Sequence, residues 1–272
     1  MPKTDRSVLP IAVKSFNWVP TPARPELNSQ SKSTSIQVVE NALTVLETIC
    51  ESTGEVGVSE LSESLGMNKS SVWRLLATFT RRGYLEREEK SGRYRLGLSA
   101  YAMGIKFRLR MDLLNKAKPI MNRLARDCNE AIYLAVPVRK RFILLEMVDT
   151  TQAVRTIPLI GNAYQVGETA VGKVIQAYTL LVNHPEEEEE LASIRKQGVG
   201  IDSGGFGEGT ACIATPLFDG QHKLCGCLST IGPGFRFSPE RIELEFVPLL
   251  REASRIVSSQ LGYMGHLSDH NL

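Results

Sequence analysis

Side chains that can hydrogen-bond bases and phosphates cluster in one stretch of the sequence, between residues 68 and 95. Asn68 and Arg74 could read bases, because Asn can make two hydrogen bonds to adenine and Arg two to guanine. Basic residues nearby would contact phosphates and so position the protein on DNA. Small and aromatic residues lie on the same face of the predicted helix or beside that face. The predicted DNA contacts are therefore Asn68, Lys69, Ser70, Ser71, Trp73, Arg74, Arg81, Arg93 and Arg95.

The charge of the chain is unevenly distributed, although its net value is only +2. Residues 68–126 carry fifteen basic and four acidic side chains, whereas residues 36–67 and the part after residue 126 have an acidic excess. Such an asymmetry favours a polyanion-binding face on an otherwise neutral protein. Charge alone does not distinguish a polyanion-binding face from an ordinary solvated helix surface. The helices and strands that carry these residues must therefore be considered.

Three short helices and a hairpin are predicted to position the basic residues. The predicted helices span residues 36–50, 58–65 and 69–82, with Ser59 as a cap of the second. Gly66 and Gly83 should end the second and third helices, and a turn at 88–92 joins two short strands. The predicted buried stripes are Val39, Leu43, Leu46 and Cys50 in the first helix and Val72, Leu75, Leu76 and Phe79 in the third. This order predicts a winged helix-turn-helix over residues 35–97.

A long helical period over residues 98–127 follows the hairpin, and Pro119 is expected to kink or divide it. Its first part, residues 98–115, carries apolar side chains such as Met103 and Phe107 that have no obvious partner within their own domain. Packing against a second subunit would bury them, which predicts a linker helix that dimerises. Packing against the C-terminal domain of the same chain is the alternative.

The rest of the chain alternates strand and helix patterns, which predicts an α+β domain at residues 116–265. The predicted strands are residues 132–136, 142–148, 155–158, 211–218 and 224–231. Helices are predicted at residues 169–181 and 186–197, and Ser238 caps a final helix that Pro239 opens. We expect an antiparallel sheet with helices on one side and at its end. On the last strand, one face should hold Cys225, Cys227, Ser229 and Ile231.

The composition excludes several classes of protein. Residues 1–34 are rich in Pro, Ser and Thr and are predicted to be a disordered tail, and residues 266–272 a second tail. The longest apolar run, residues 131–138, is far shorter than the ~18 residues that a membrane span needs. Residues 8–13 are too few for the apolar part of a signal peptide. Five cysteines without a pairing pattern agree with these signs, so a cytoplasmic protein is expected.

Catalysis, cofactors and metals are not expected. Cys225 and Cys227 stand between strand residues, and we interpret them as buried thiols rather than metal ligands. Cys212 would act as a nucleophile only beside a base, and the local strand pattern brings no histidine near it. Residues 204–209 are glycine-rich but lack the spacing of a dinucleotide- or phosphate-binding loop.

Six motifs of the sequence resemble the IclR family of bacterial transcriptional regulators, in the right order. They are NKSSVWRLL at 68–76, GRYRLG at 92–97, TAVGK at 169–173, GTACIATPLFD at 209–219, LSTIGP at 228–233 and QLGY at 260–263. The resemblance covers about residues 36–263. It implies a winged helix, a dimerising linker helix and a GAF-like domain that binds a small effector. It also implies homodimers or dimers of dimers on palindromic operators, most of them repressors of catabolic operons.

A binding site for an organic acid is expected where the helix predicted at residues 169–181 begins. Free backbone N–H groups and the positive end of the helix dipole suit a carboxylate there. The resemblance implies that the anionic end of the effector meets the amides of Ala170 and Val171. By the same resemblance the ligand is surrounded by Asp202, Cys212 and Ser229.

The leading interpretation is a DNA-binding regulator, more often a repressor, whose operator affinity is modulated by a small organic acid. Two departures from the family pattern motivate an alternative. Ile231 stands where family members often have a polar residue, and the segment 174–197 is short. The alternative is an effector-independent regulator whose C-terminal domain only oligomerises.

Overall fold

The computed structural model describes residues 36–157, 159–179 and 185–265. Their contacts group them into two compact units, which divide between Arg110 and Met111. The tails predicted at residues 1–34 and 266–272 lie outside the described residues. In the part of the chain that is described, no helix is long and apolar enough to cross a bilayer.

The N-terminal unit is built from helices followed by a two-stranded hairpin. Its elements are α1 (Gln37–Glu51), α2 (Val58–Leu65), α3 (Lys69–Arg81), β1 (Leu85–Arg87), β2 (Tyr94–Leu96) and α4 (Leu98–Arg110). The first three helices pack around one apolar core, in which Val45, Leu61 and Leu76 are fully buried. The hairpin closes this core with Leu85 and Tyr94. The predicted helix-turn-helix with its hairpin is confirmed.

The buried face predicted for α1 is wrong by one position. Val45 and Ile49 are buried, and Leu46 of the predicted stripe is partly buried against the same core. Val39 and Leu43 are about half exposed, at 51% and 48%, and Cys50 is exposed. The sequence of α1 has apolar residues in adjacent pairs along its length. Two neighbouring stripes therefore fit the helical period equally well, and only packing against α2 and α3 selects between them.

Of the two predicted ends of α2, the C-terminal one is correct and the N-terminal one is wrong. Gly66 ends the helix in the left-handed conformation, with φ at 63°, as predicted. Ser59 is not the cap, because the helix already begins at Val58. The carboxylate of Glu60 instead accepts a hydrogen bond from the backbone N–H of Gly57 at 3.2 Å.

The long helical period after the hairpin is divided at Met111 and not at Pro119. Met111 has extended backbone, with φ −84° and ψ 99°, and α5 (Asp112–Cys128) runs through Pro119. Proline in a helix interior removes one hydrogen bond. Leu114, Ala117 and Met121 are buried on both sides of this position, and their packing offsets that loss.

The C-terminal unit is a six-stranded antiparallel sheet flanked by helices, which confirms the α+β class. Its strands are β3 (Ala131–Val138), β4 (Arg141–Val148), β5 (Ala163–Gln165), β6 (Gly200–Ser203), β7 (Thr210–Phe218) and β8 (Leu224–Pro233). Their spatial order is β5-β4-β3-β8-β7-β6. The later helices are α6 (Ala170–Thr179), α7 (Pro185–Gln197), α8 (Pro239–Arg241) and α9 (Val247–Gln260), with a π-helical turn at Ile242–Phe246.

Two edge strands of this sheet differ from the prediction. Residues 155–157 are not a strand, and the strand beside β4 is β5, in which Gln165 pairs with Arg141. The other edge strand, β6, was not predicted at all. Both observed edges have only three or four residues, too few to display the alternation on which strand prediction depends.

The helices cover both faces of the sheet, which corrects the expectation of helices on one side and at the end. One core lies between the sheet and helices α5 and α9, and includes Met121, Leu134 and Phe246. The other lies under α6 and α7, and includes Tyr133 and Ile175. The sequence of a strand that is buried on both faces is an unbroken run of apolar residues, and β3 has such a run from residue 131 to 135.

A bulge in β8 separates Cys225 from the face to which it was assigned. Phe218 pairs with Leu224, whereas Leu217 pairs with Gly226, so the strand register skips Cys225. Its side chain packs with the core of α5 and α9, while Cys227 and Ile231 lie in the core under α6. The predicted face is therefore correct for the later positions and wrong for Cys225.

Candidate functional site

The first turn of α3 is fixed by a side-chain cap. The Oδ1 atom of Asn68 accepts hydrogen bonds from the Ser71 N–H and the Ser70 hydroxyl, both at 2.8 Å. A cap of this kind stabilises a helix N-terminus by about 1 kcal/mol. Asn68 would have to release its oxygen from the cap to make two hydrogen bonds to adenine. The structure therefore gives this residue a helix-capping role that the sequence analysis did not assign.

The solvent face of α3 is basic and carries small residues between its longer side chains. Lys69, Arg74 and Arg81 are exposed, and Trp73 is 55% exposed at the shoulder of this face. The sequence has no carboxylate from residue 68 to residue 84. A helix face with this composition can approach the edge of a base and the phosphates beside it.

The two arginines predicted on β2 are held by acidic groups of their own unit. Arg93 donates from Nε to the Glu55 carbonyl at 2.9 Å and from Nη2 to the Glu60 carboxylate at 2.8 Å. The pKa of Glu60 is lowered, first by this hydrogen bond to Arg93. Arg95 donates from Nε and Nη2 to Glu86 at 3.2 and 3.1 Å. A phosphate contact by either arginine must compete with these partners.

The hairpin has another exposed arginine that the prediction left out. Arg87 lies on β1 opposite Tyr94, with its guanidinium 6.0 Å from the ring centroid. Its Nε atom donates to the Gly92 carbonyl at 3.3 Å. Its outward position on the first strand could have identified it as a candidate DNA contact, but the sequence analysis considered only the second strand.

The N-terminus of α6 is occupied by groups of the chain itself. The Ala170 N–H donates to Oδ2 of Asp202 at 2.5 Å, and the Val171 N–H is near enough to the Cys212 thiol to oppose the rise of its pKa. The Gly172 N–H donates to the Thr169 hydroxyl at 3.0 Å. The structure therefore brings four of the five predicted effector residues together, but it pairs them with one another.

The strand register explains why these side chains meet. Asp202 on β6 is directly opposite Cys212 on β7, and Ala214 two residues later is opposite Ser229 on β8. Ser229 is fully buried between Cys227 and Ile231 in sequence, both of which lie in the core under α6. Strand alternation puts Ser229 on the same face. Among the described residues, the hydroxyl of Ser229 has no hydrogen-bond partner.

Burial dominates the electrostatics of this site. It raises the pKa of Asp202 above its usual range, against the opposing effects of its two backbone hydrogen bonds and of Lys173. Burial also raises the pKa of the Cys212 thiol well above its ordinary value, so this thiol stays protonated. A protonated, fully buried thiol is a poor nucleophile.

The glycine-rich loop at 204–209 belongs to the same site, although the sequence analysis gave it no role. The Gly205 N–H donates to Oδ1 of Asp202 at 3.0 Å. Phe206 packs edge-on against Tyr164 and Phe142, with ring centroids 5.0 and 6.4 Å apart. The signal was the loop's position directly after Asp202.

A helix-turn-helix with an exposed basic third helix, followed by a separate α+β unit, defines the class of DNA-binding transcription regulators. Comparison with known families agrees. The profile described as the IclR helix-turn-helix domain matches residues 38–89. The profile described as the C-terminal domain of the bacterial transcriptional regulator IclR matches residues 107–181 and 179–259. The chain belongs to the IclR family of bacterial transcriptional regulators, and it is not an enzyme.

Two relatives support the assignment, and a solved structure shares the fold. The HTH-type transcriptional regulator KdgR of Escherichia coli strain K12 is 32% identical over 229 residues, which cover 77% of this chain and 87% of KdgR. The acetate operon repressor of Salmonella typhimurium strain LT2 is 27% identical, over 82% of this chain and 91% of its own. The crystal structure of an IclR homolog from Microbacterium hydrocarbonoxydans complexed with 4-hydroxybenzoate has a TM-score of 0.69. The two sequences are 21% identical, and the match covers 82% of this chain and 98% of the other.

Proposed function

We propose that this regulator is a cytoplasmic repressor of a catabolic operon, and that a small organic acid bound to the C-terminal domain modulates its operator affinity. The proposed domains are the winged helix-turn-helix at residues 35–97, the linker at 98–115 and the GAF-like domain at 116–265. The linker is not one continuous helix as predicted, because α4 ends at Arg110 and α5 begins at Asp112. The similarity to the acetate operon repressor supports repression, and the relative that is complexed with 4-hydroxybenzoate supports an acidic effector.

The single observation that carries the DNA-binding proposal is the exposed, carboxylate-free face of α3. In this proposal α3 enters the major groove, with Arg74 at a base and Lys69 and Arg81 at phosphates. Ser70, Ser71 and Trp73 line the approach. Asn68 holds the first turn, and it reads a base only by giving up its cap. On the hairpin, Arg93 and Arg95 exchange their carboxylate partners for phosphates.

The exposed apolar side chains of α4 support a homodimer. None of the residues in this helix is buried within the described chain. Five of its large apolar side chains are more than half exposed: Leu98, Tyr101, Met103, Phe107 and Leu109. Large apolar side chains exposed on two sides of one helix indicate an interaction site. We assign it to a second copy of the chain, because the two-fold symmetry of a dimer matches a palindromic operator.

The effector site lies at the start of α6. The amides of Ala170 and Val171 face the carboxylate of the effector, with Cys212 and Ser229 on the strands below and Asp202 at the rim. The fully buried Ser229 hydroxyl supports this placement, because it has no partner among the described residues. A buried polar group without a partner is costly, and a ligand oxygen would satisfy it.

One observation favours the effector-independent alternative. The first and third amides of α6 are already hydrogen-bonded to Asp202 and Thr169, and the second lies beside the Cys212 thiol, so the chain itself occupies this helix end. Ile231 adds an apolar side chain on the same face of the sheet. In that case the C-terminal domain only oligomerises, and no small acid changes operator affinity.

A thermal-shift screen of the purified protein against keto, sugar and aromatic acids distinguishes effector-modulated from effector-independent regulation. A ligand at about 100 times its dissociation constant adds about 2.7 kcal/mol of stability. We expect at least one acid to raise the melting temperature and to change operator affinity in a gel-shift assay. If every acid leaves both quantities unchanged, the effector-independent reading is correct.

A further inference from the structure

We infer that the C-terminal unit also binds phosphate, in an open cavity between α9 and the end of β7. The cavity has a volume of about 140 Å³. Its lining combines α9 and β7 with Gly198, which follows α7, and Tyr263, which follows α9. It shares no residue with the effector site proposed at the start of α6, so the inference does not depend on that site.

The wall formed by α9 carries two arginines and two serines on one face. Arg251, Ser254, Arg255 and Ser258 have the spacing i, i+3, i+4 and i+7, which places their side chains along one side of a helix. The two serines are buried, whereas the two arginines are exposed. Among the described residues that line the cavity, none is a carboxylate. Two guanidinium groups without an acidic neighbour in the lining favour an anion.

Both arginines keep N–H groups that no other part of the described chain uses. A guanidinium group has five N–H donors. Arg251 uses one of them, from Nη2 to the Gln197 carbonyl at 2.5 Å. Arg255 uses Nε and Nη2 for an exposed ion pair with Glu252, at 2.8 and 2.7 Å. An anion can therefore bind to the remaining N–H groups of both arginines without breaking these contacts.

The hydroxyl of Ser258 adds a donor on the buried wall of the cavity. The Ser258 side chain is almost completely buried, and its oxygen accepts the Phe218 N–H at 3.1 Å. The neighbouring hydroxyls of Ser254 and Thr215 bond each other at 2.6 Å. The Ser258 proton, in contrast, has no hydrogen-bond acceptor in the part of the chain that the structure describes. A buried donor without an acceptor is costly, and an anion oxygen would satisfy it.

The number of donor side chains favours phosphate over a carboxylate. Arg251, Arg255 and Ser258 lie on successive turns of α9, so that they can each meet a different oxygen of one anion. Phosphate offers three strong acceptor oxygens and pairs well with arginine, whereas a carboxylate has only two oxygens.

The size of the cavity limits the ligand further. Pockets that enclose a whole organic ligand have volumes of about 300 Å³ or more, so this cavity is too small for one. It holds either inorganic phosphate or the phosphate group of a metabolite whose remainder lies in solvent. Both share the same chemistry at the two arginines and the serine.

The test is titration calorimetry of the full chain at constant ionic strength. Inorganic phosphate, phenyl phosphate and acetate are the three probes. The variants Arg251→Gln and Arg255→Gln each remove one guanidinium group at an exposed position, so the fold should remain intact. Arg155→Gln is the matched control, because Arg155 is an exposed arginine of the same unit that pairs with Asp149 at 3.1 Å.

We expect the wild type and Arg155→Gln to bind phosphate saturably, with a Kd of about 1 mM or below. Each cavity variant should bind phosphate about tenfold more weakly or worse, because charge-assisted hydrogen bonds are lost. Acetate that binds at the start of α6 should respond to neither substitution. Tighter binding of phenyl phosphate than of inorganic phosphate indicates a phosphorylated metabolite, and weaker binding indicates the free ion.

Three results would overturn the inference. The first is the absence of saturable phosphate binding to the wild type, a result that needs no variant. The second is phosphate binding that both cavity variants retain, which places the ion elsewhere, for example at the basic face of α3. The third is acetate binding that is as tight as phosphate binding and is weakened equally by both substitutions. None of these results bears on the effector proposal, because the two sites have no residue in common.

Discussion

The substitution Arg74→Ala tests the placement of α3 in the major groove. Arg74 is exposed and has no ion pair with any described residue, so its removal should change stability by no more than about 0.5 kcal/mol. A bidentate contact between arginine and guanine is worth about 1–3 kcal/mol of discrimination against the wrong base. The expected loss of affinity is therefore roughly 5- to 150-fold at each half-site, with an unchanged melting temperature.

The assay begins with selection of the operator from random DNA by the wild-type protein. Fluorescence anisotropy then measures the affinity of both proteins for this operator and for single-base variants of it. We expect Arg74→Ala to lose its preference at one position of each half-site. The control is Arg255→Ala, which removes the same charge from the exposed pair of Arg255 with Glu252 on α9.

Two results would refute the reasoning. A uniform loss at all sequences, with a salt-dependence slope smaller by about 1, means that Arg74 contacts a phosphate instead of a base. An affinity equal to that of Arg255→Ala means that this face of α3 does not reach the groove.

Three further predictions concern assembly, stability and reactivity. Phe107→Asp should convert dimers to monomers in sedimentation and weaken operator binding, because a charge then replaces one of the exposed apolar side chains of α4; unchanged sedimentation contradicts the dimer interface. Glu130→Gln should destabilise the C-terminal unit by about 3–5 kcal/mol, because this fully buried carboxylate accepts two hydrogen bonds of 2.6 Å from Arg236. By calorimetry the melting temperature should fall by roughly 6–20 °C. Its control, Glu252→Gln, should change stability by under about 1 kcal/mol, and equal effects would contradict the reasoning. Iodoacetamide should label the exposed Cys50 well before the buried Cys212 in mass spectra of the folded protein, and the opposite order would be incompatible with the inert thiol described here.

Local patterns were sufficient for most of the helix-turn-helix unit. The stripe of Val72 and Leu76, the left-handed Gly66 and the hairpin around 88–92 depend on residues close in sequence, and the structure has all of them. The face of α1 was the exception, because two adjacent apolar stripes satisfy one helical period. The choice of Val45 over Leu43 depends on where α2 and α3 lie, and the sequence of α1 contains no information on that.

The start of α6 shows the limit of local reasoning at the functional site. Helix periodicity correctly predicted that a helix begins near Ala170, and the amides at a helix N-terminus suit an anion. Periodicity could not predict that Asp202, 32 residues later, would take this place. The partners of Arg93 were missed for the same reason, since Glu60 lies 33 residues away on α2.

The sequence by itself determined the family, the α+β class, the basic face of α3 and most helix and strand positions, because these follow from periodicity, turn residues and motifs. Only the tertiary structure decided which groups pair with one another. The break at Met111 instead of Pro119, the burial of the sheet on both faces and the occupation of the α6 amides all depend on contacts between distant segments. Such contacts are selected by the free energy of the whole packed unit, which no short window of sequence contains.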